Sequence, residues 1–305
     1  MSSDIQLFLQ QLVNGLAIGM VYALIALGYT MVYGVIQLIN FAHGEIFMVG
    51  GYLALTAIWI MASIFSGAPV WFVLPSLFFF SMLGSAALGG VVEKTAYKPL
   101  RGSPKLTALI TSIGVSFFLQ NAVMLIYGAR EQNVPEILPP LRVELGAVSL
   151  SLVQCVLMTV SLALMVFLTW FVRRTKLGKA MRACAENPEA AHLVGISTDR
   201  IIRLTFLIGS ALAAVAGALF ALNYGSINFH DGYLAGLKAF TAAVLGGIGS
   251  IPGAMLGGVL LGVCEGLGAA YLSSSWKDVI AFLILVVVLL CKPSGLLGEN
   301  LPEKV

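Results

Sequence analysis

Long runs of apolar residues, interrupted only by glycines and a few polar side chains, follow one another along this chain. Six of them are long enough to cross a bilayer, since a spanning helix needs about 20 apolar residues. They lie at residues 12–35, 44–63, 71–92, 106–127, 148–172 and 204–224. The pattern therefore predicts six membrane-spanning helices before the last third of the chain is considered.

The last third has a less regular pattern. Its apolar runs lie at residues 236–247, 253–272 and 279–291, and a Gly-Ser-Ile-Pro-Gly segment separates the first two. Irregular backbone is tolerated at membrane depth only where it is buried in protein or lines a cavity. We therefore expect a glycine-rich hairpin over residues 236–272 that is broken or re-entrant. The predicted fold class is an all-α polytopic membrane protein with about eight transmembrane helices, in one domain over residues 1–305.

The composition agrees with this pattern. Hydrophobic residues make up 59% of the 305 residues, charged residues only 10%, and the mean hydropathy is +0.97. Soluble domains carry roughly a quarter charged residues, so a soluble enzyme is excluded. A disordered chain is excluded too, because such chains have low hydrophobicity.

The positive charges predict the orientation. Residues 94–105 hold four Lys or Arg and residues 173–203 hold seven, out of 17 in the chain. Because cytoplasmic loops are enriched in Lys and Arg, both loops are predicted to be cytoplasmic. The loop at 130–144 and the amino terminus are then outside. The carboxyl terminus is inside if the hairpin enters and returns.

The loop at 173–203 contains the clearest local motif. Asn187 is a favourable N-cap, Pro188 suits the first helical position, and Glu189 suits the first turn. Gly195 is a natural helix stop. These residues predict a short helix over 188–194.

The apolar side of this short helix would offer Ala191, Leu193 and Val194 to a partner. A loop of about thirty residues is longer than most connections, which favours a function for it. The alternative is a capped turn that only shortens the loop.

Glu265 is the clearest ionisable residue at membrane depth. It shares a helical face with Gly258 and Gly262, and Gly262 and Gly266 form a small-residue motif for close packing. Glu265 is therefore predicted to face protein or water, either holding the hairpin in place or lining a transport path. Lys238 is predicted to snorkel to the outer interface.

A second polar group lies between the first two predicted helices. Asn40 and His43 are one turn apart and would share a helical face, with Glu45 close by. They would line the inner part of a pathway at an unwound corner, or form a capped turn with satisfied polar groups. Gly249, in the glycine-rich segment, is a further pathway candidate. The three histidines are far apart in sequence, so no metal site is expected.

Several segments resemble known transporters. Glu189-Ala190-Ala191, followed after three residues by Gly195, resembles the EAA loop of ABC-importer membrane subunits. Residues 14–30, 39–45, 182–186 and 238–254 are similar to branched-chain amino acid permeases of the LivH type, and the resemblance extends from about residue 11 to about residue 298.

The resemblance implies a non-catalytic permease subunit of an ABC importer in the bacterial inner membrane. It implies a LivM-type partner permease, two cytosolic ATPases and an external binding protein, with Leu, Ile and Val as cargo. Similar permeases carry other amino acids, amides or urea. The EAA loop would dock on an ATPase through the coupling residues Arg182, Asn187, Pro188, Glu189, Ala190, Ala191 and Gly195.

The chain has no G-x-x-x-x-G-K-[ST] motif, so ATP and Mg are expected on partner subunits and no cofactor in this chain. The net charge of +3 gives no argument for nucleic acid. Two alternatives remain open. One is an ion-coupled secondary transporter with Glu265 or Glu45 as its proton site, and the other is a structural membrane anchor.

Overall fold

The computed structural model describes residues 3–65, 67–146 and 148–298. Helices dominate these ranges, with four short strands at one end of the bundle. The helices are α1 (Ser3–Ile36), α2 (Ala42–Ile64), α3 (Val70–Val92), α4 (Lys105–Tyr127), α5 (Leu152–Arg174), α6 (Lys176–Glu186), α7 (Pro188–Leu193), α8 (Thr198–Tyr224), α9 (Asp231–Gly246), α10 (Ile251–Tyr271) and α11 (Lys277–Cys291).

Eight helices of the described ranges are long and apolar enough to cross a membrane: α1 to α5, α8, α10, and α11 with the turn before it. The predicted fold class is therefore confirmed. The short arm of the predicted hairpin is α9, which has 16 residues and a length of about 24 Å. It is shorter than the roughly 30 Å hydrocarbon core, and it begins at Asp231, earlier than the pattern indicated.

Glycines allow α1 and α10 to pack backbone against backbone. A β-carbon added to Gly262 would lie 2.2 Å from the α-carbon of Gly19, and one added to Gly258 would lie 2.4 Å from the α-carbon of Ala23. Such contacts are possible only with small residues, which is how helices approach closely in membranes. The predicted small face of α10 is therefore an interface with α1.

The centre of the bundle is formed by α1, α2 and α8. The buried part of α8 is rich in alanine and glycine, and Gly217 lies against the backbone of Phe47 in α2. The helices α3, α4, α5 and α11 surround this centre and present large apolar side chains outward, such as Phe118, Leu125 and Leu290. Such an apolar outer surface is what a helix bundle in lipid requires.

Two helices begin inside the bundle rather than at its surface. After α1 the chain turns at Gln37, whose φ is +52°, and comes back to start α2 at Ala42. The His43 ring contacts Gly28, eight residues before the end of α1, so it lies about 12 Å inside that end. The start of α9 packs on the same region, since Gly232 approaches Gly44. The starts of α2 and α9 therefore face each other at depth.

Short strands close the end of the bundle opposite the basic loops. Strand β1 (Gln132–Asn133) pairs with β4 (Ser226–Ile227), and β2 (Arg142–Leu145) pairs with β3 (Val148–Ser151), both antiparallel. The β1–β4 pair ties the long loop after α4 to the segment that leads back into the bundle at α9.

The two basic loops lie at the same end of the bundle and are joined by ion pairs. Arg101 pairs with Glu93 and with Asp199, and Nε of Arg203 lies 3.6 Å from Oε2 of Glu93. Glu93 itself is buried beneath these two arginines. Both loops therefore face the same side of the membrane, as the charge pattern predicted.

Single cysteines should report which side this is. We expect Ser103→Cys to resist an impermeant thiol reagent in intact cells and Asn133→Cys to react, because cytoplasmic loops carry the positive charge. Both positions are exposed. The native cysteines are replaced in both variants, and labelling after cell lysis is the control. If only Ser103→Cys is labelled in intact cells, the orientation of the protein is opposite to the predicted one.

Candidate functional site

Four side chains from four helices form an ion-pair cluster, which we call the outer cluster: Tyr22, Lys238 and Glu265, which are buried, and Asp278, which is half exposed. The Lys238 ammonium lies 2.9 Å from Oε1 of Glu265 and 2.7 Å from Oδ1 of Asp278. The Tyr22 hydroxyl donates to Oε2 of Glu265 over 2.9 Å. Glu265 is only 3% exposed, so these contacts replace water around its carboxylate.

The structure corrects the expectation for Lys238. Its side chain does not snorkel outward but turns into the protein, where it is 7% exposed. The reason is the presence of two carboxylates within reach, which compensate the positive charge that would otherwise have to reach water. Glu265 faces protein, as predicted, and its contacts hold α10 to α1 and α9.

A cavity of about 270 Å³ borders the outer cluster on the side of the strands. Glu265 forms part of its wall, together with amide side chains near the outer ends of α1 and α5. Its other polar lining residues are Gln11, Asn14, Gln154, Asn223, Tyr224 and Lys277.

A second cavity lies next to this one. Asn223 and Tyr224 also line this second cavity, of about 310 Å³, whose other wall is the loop at residues 134–142. The two cavities therefore share a wall at the strand-bearing end of the bundle.

The polar residues at the start of α2 form a separate group, the α2 cluster. Asn40 accepts a hydrogen bond from the Tyr97 hydroxyl over 2.8 Å, and Oε1 of Glu45 accepts one from the Ser116 hydroxyl over 3.0 Å. His43 packs edge-on against Tyr29, with ring centres 4.7 Å apart.

The predicted shared helical face of Asn40 and His43 is wrong. Residues 37–40 are not helical, and α2 begins only at Ala42. The backbone N–H of His43 instead donates to the Asn40 carbonyl over 3.0 Å. The cause is the return of the chain into the bundle after Gln37, which uses a non-helical segment. The predicted unwound corner is present, but deeper than a surface turn.

Three atoms of the α2 cluster are buried without a hydrogen-bond partner among the described residues: Nδ2 of Asn40, Nε2 of His43 and Oε2 of Glu45. Leaving a buried polar group unsatisfied costs about 1–3 kcal/mol. Oε2 of Glu45 lies where a β-carbon on Gly232 would be, within 2.3 Å of it. The start of α9 therefore needs glycine there, and Oε2 of Glu45 lies at the meeting point of α2 and α9, whereas Nε2 of His43 lies against Gly28 of α1.

Gly249 is not close to either cluster. It lies in the turn between α9 and α10 with a φ of +96°, at the end of the bundle that carries the basic loops. There it lines a small cavity of about 70 Å³ together with Met181 and Arg182. Of the five pathway candidates, the structure brings Asn40, His43 and Glu45 together, and places Glu265 and Gly249 apart from them and from each other.

The loop at 173–203 has the local structure that its sequence predicts. The Asn187 side chain caps α7 by accepting the N–H of Ala190 over 3.0 Å, and Pro188 is the first helical residue. The helix ends at Leu193, one residue before the predicted end, and Gly195 follows with a φ of +88°.

Ala191 does not face outward as predicted. It is 3% exposed, whereas Leu193 is 85% and Val194 is 76% exposed. The helix has only six residues and rests on α6 and α8, so one side must be buried within the protein itself. Arg182 donates to the Arg173 carbonyl over 3.4 Å. The apolar surface offered to a partner is therefore the pair Leu193 and Val194.

The sequence pattern did not predict Tyr22 and Asp278 as members of the outer cluster. Asp278 comes just before the last apolar run, where an acid is easily assigned to a loop. The sequence signal that could have indicated Asp278 is Lys238, because a cation at membrane depth needs an acidic partner close by.

Eight apolar helices, a short helix that begins inside the bundle, and a capped helix on a basic loop define a membrane transport subunit of the ABC-importer class. A family model described as the permease component of the branched-chain amino acid transport system matches residues 11–289. The chain belongs to this family.

Several relatives match over almost their full length. The chain is 50% identical over 307 residues to the high-affinity branched-chain amino acid transport system permease protein BraD of Pseudomonas aeruginosa, covering 99% of each protein. It is 48% identical over 311 residues to the LivH permease protein of Escherichia coli, covering 100% of both. A probable LivH of Methanocaldococcus jannaschii is 29% identical over 293 residues, covering 91% of this chain and 88% of the relative.

Proposed function

We propose that this multi-pass permease carries leucine, isoleucine and valine across the bacterial inner membrane, after an external binding protein delivers them. The observation that supports this most strongly is the identity of about half of all residues, end to end, with two permeases named for high-affinity branched-chain amino acid transport. The subunit would form half of the translocation pathway, and a LivM-type permease the other half. The candidate pathway residues are Asn40, His43, Glu45, Gly249 and Glu265.

In this proposal the chain is not an enzyme. Two cytosolic ATPases bind ATP and Mg, and α7 receives their movement as a coupling helix. The capped geometry at Asn187, the exposed apolar pair Leu193 and Val194, and the surrounding positive loop support docking on a cytosolic partner. Alternating access would then expose the pathway first to the outside and then to the cytoplasm.

Reconstituted vesicles test the function directly. With the binding protein outside and ATP inside, we expect uptake of leucine that requires both ATPases and persists when a protonophore collapses the proton gradient. Uptake without the ATPases, abolished by the protonophore, would instead identify an ion-coupled transporter. Uptake of an amide or urea in preference to leucine would contradict the proposed cargo but not the proposed class of transporter.

A substitution on α7 tests the coupling. We expect Leu193→Asp to reduce recovery of the ATPases with the purified permease at least about tenfold, because loss of a central apolar anchor costs roughly 2 kcal/mol or more. Uptake should fall with it.

Leu177→Asp is the matched control, since Leu177 is also an exposed leucine of the same cytoplasmic loop but lies on α6. It should retain the ATPases. Equal recovery with Leu193→Asp and with the unmodified protein would show that α7 only braces the loop.

A further inference from the structure

The cavity beside the outer cluster has one charge of each sign in its lining, Glu265 and Lys277. Lys238 pairs with Glu265 and also with Asp278, whose side chain is 50% exposed. The Glu265 carboxylate, which is 3% exposed, therefore shares its ion-pair partner with a second acid. A cationic group in the cavity, next to Glu265, would complete the pairing of this buried carboxylate.

Glu265 has room to bind such a group. A carboxylate has about four acceptor positions, and here one is used by Lys238 and one by Tyr22. Because Glu265 is part of the cavity wall, its remaining positions are available to an ammonium group that enters from the outer side.

The rest of the cavity suits a small zwitterion. Lys277, in the first turn of α11, also lines the cavity and would attract a carboxylate. Ala17, Ile18 and Ala269 provide an apolar part. A volume of about 270 Å³ lies just below the range of roughly 300–1,000 Å³ typical of drug-sized ligands, so a small solute fits.

We propose that this cavity is an outward-facing binding site for an aliphatic α-amino acid. Glu265 accepts the ammonium group, Lys277 contacts the carboxylate, and Ala17, Ile18 and Ala269 contact the side chain. The site receives solute from the neighbouring cavity at Tyr224, before the pathway opens to the cytoplasm. This inference rests on the proposed function, because it assigns a site to the amino acid that the permease would carry.

Protection of a cysteine in the cavity tests the proposal. In the assembled transporter with its four native cysteines replaced by alanine, Ala269→Cys is labelled with N-ethylmaleimide. L-leucine at about ten times its dissociation constant should slow the labelling roughly tenfold. Isoamylamine lacks the carboxylate and isocaproate lacks the ammonium group, so each should protect much less at the same concentration.

Ala270→Cys is the matched control, since Ala270 is the next residue of α10 and does not line the cavity. Its labelling should not respond to leucine. Equal protection by isoamylamine, or by sodium ions, would show a simple cation site and overturn the assignment of a zwitterion. No protection by leucine would overturn the site itself.

Measurements of leucine uptake distinguish a failure of this proposed site from a failure of the proposed function. Ala269→Leu fills the cavity without changing charge and should lower leucine uptake at least tenfold, whereas Ala270→Leu should not. If the unmodified transporter takes up no leucine, the proposed function fails. If it does, and Ala269→Leu transports equally well while Ala269→Cys is unprotected, only the cavity site fails.

Discussion

Replacing Gly262 with alanine is expected to remove most of the correctly assembled protein. The new β-carbon would lie 2.2 Å from the α-carbon and 2.3 Å from the nitrogen of Gly19. Both atoms belong to the backbone of α1, so no side chain can move aside and the two helices must separate. Overpacking typically costs about 1–3 kcal/mol and sometimes more, and this contact lies at the upper end. The measurements are the monodisperse yield and the unfolding temperature in detergent.

Gly114→Ala is the matched control for this prediction. Gly114 is also a helical glycine in a spanning segment, but no atom lies within 4 Å of where its β-carbon would be. Yield and unfolding temperature should stay at or above those of the unmodified protein, because alanine favours helix more than glycine. Equal behaviour of the two variants would contradict the close packing of α1 on α10.

Replacing Lys238 with methionine should be nearly as damaging. It removes the only cation of the outer cluster and leaves the Glu265 carboxylate buried beside Asp278. Breaking a buried ion pair by removing one partner costs about 3–5 kcal/mol, because the other charge stays uncompensated. The expected result is a marked fall in unfolding temperature and in the yield of assembled transporter.

A double substitution tests whether charge is the cause. Lys238→Met combined with Glu265→Gln removes the uncompensated charge and should recover a large part of the lost stability, so that the two effects are strongly non-additive. Additive losses would mean that Lys238 acts through its packing rather than through its pairing with Glu265.

The spanning helices were predictable because their signal is local. A run of about 20 apolar residues is a requirement of the bilayer, independent of what the helix packs against. The cap at Asn187 and the stop at Gly195 are local for the same reason, since each depends on residues within one turn. The small face of α10 followed from helical periodicity alone.

Contacts between distant segments were not predictable from such patterns. Lys238 was misassigned because its second partner, Asp278, lies 40 positions further on and outside the apolar run. Ala191 was placed outward because a six-residue helix has too few positions for its periodicity to show which side is buried. The burial of the α2 start depends on the turn at Gln37, whose left-handed conformation is unusual for a residue other than glycine.

The ion pairs around Glu93 determine how a mechanical load would spread from the loop at 173–203. The first two turns of α8 carry Asp199 and Arg203, which are bound to Arg101 and to Glu93, in the segment that follows α3. A displacement of the start of α8 must therefore carry this segment with it or break both contacts. A force on α7 is thus transmitted to α8 and α3 together. This corner of the bundle therefore moves as one unit rather than bending at a single hinge.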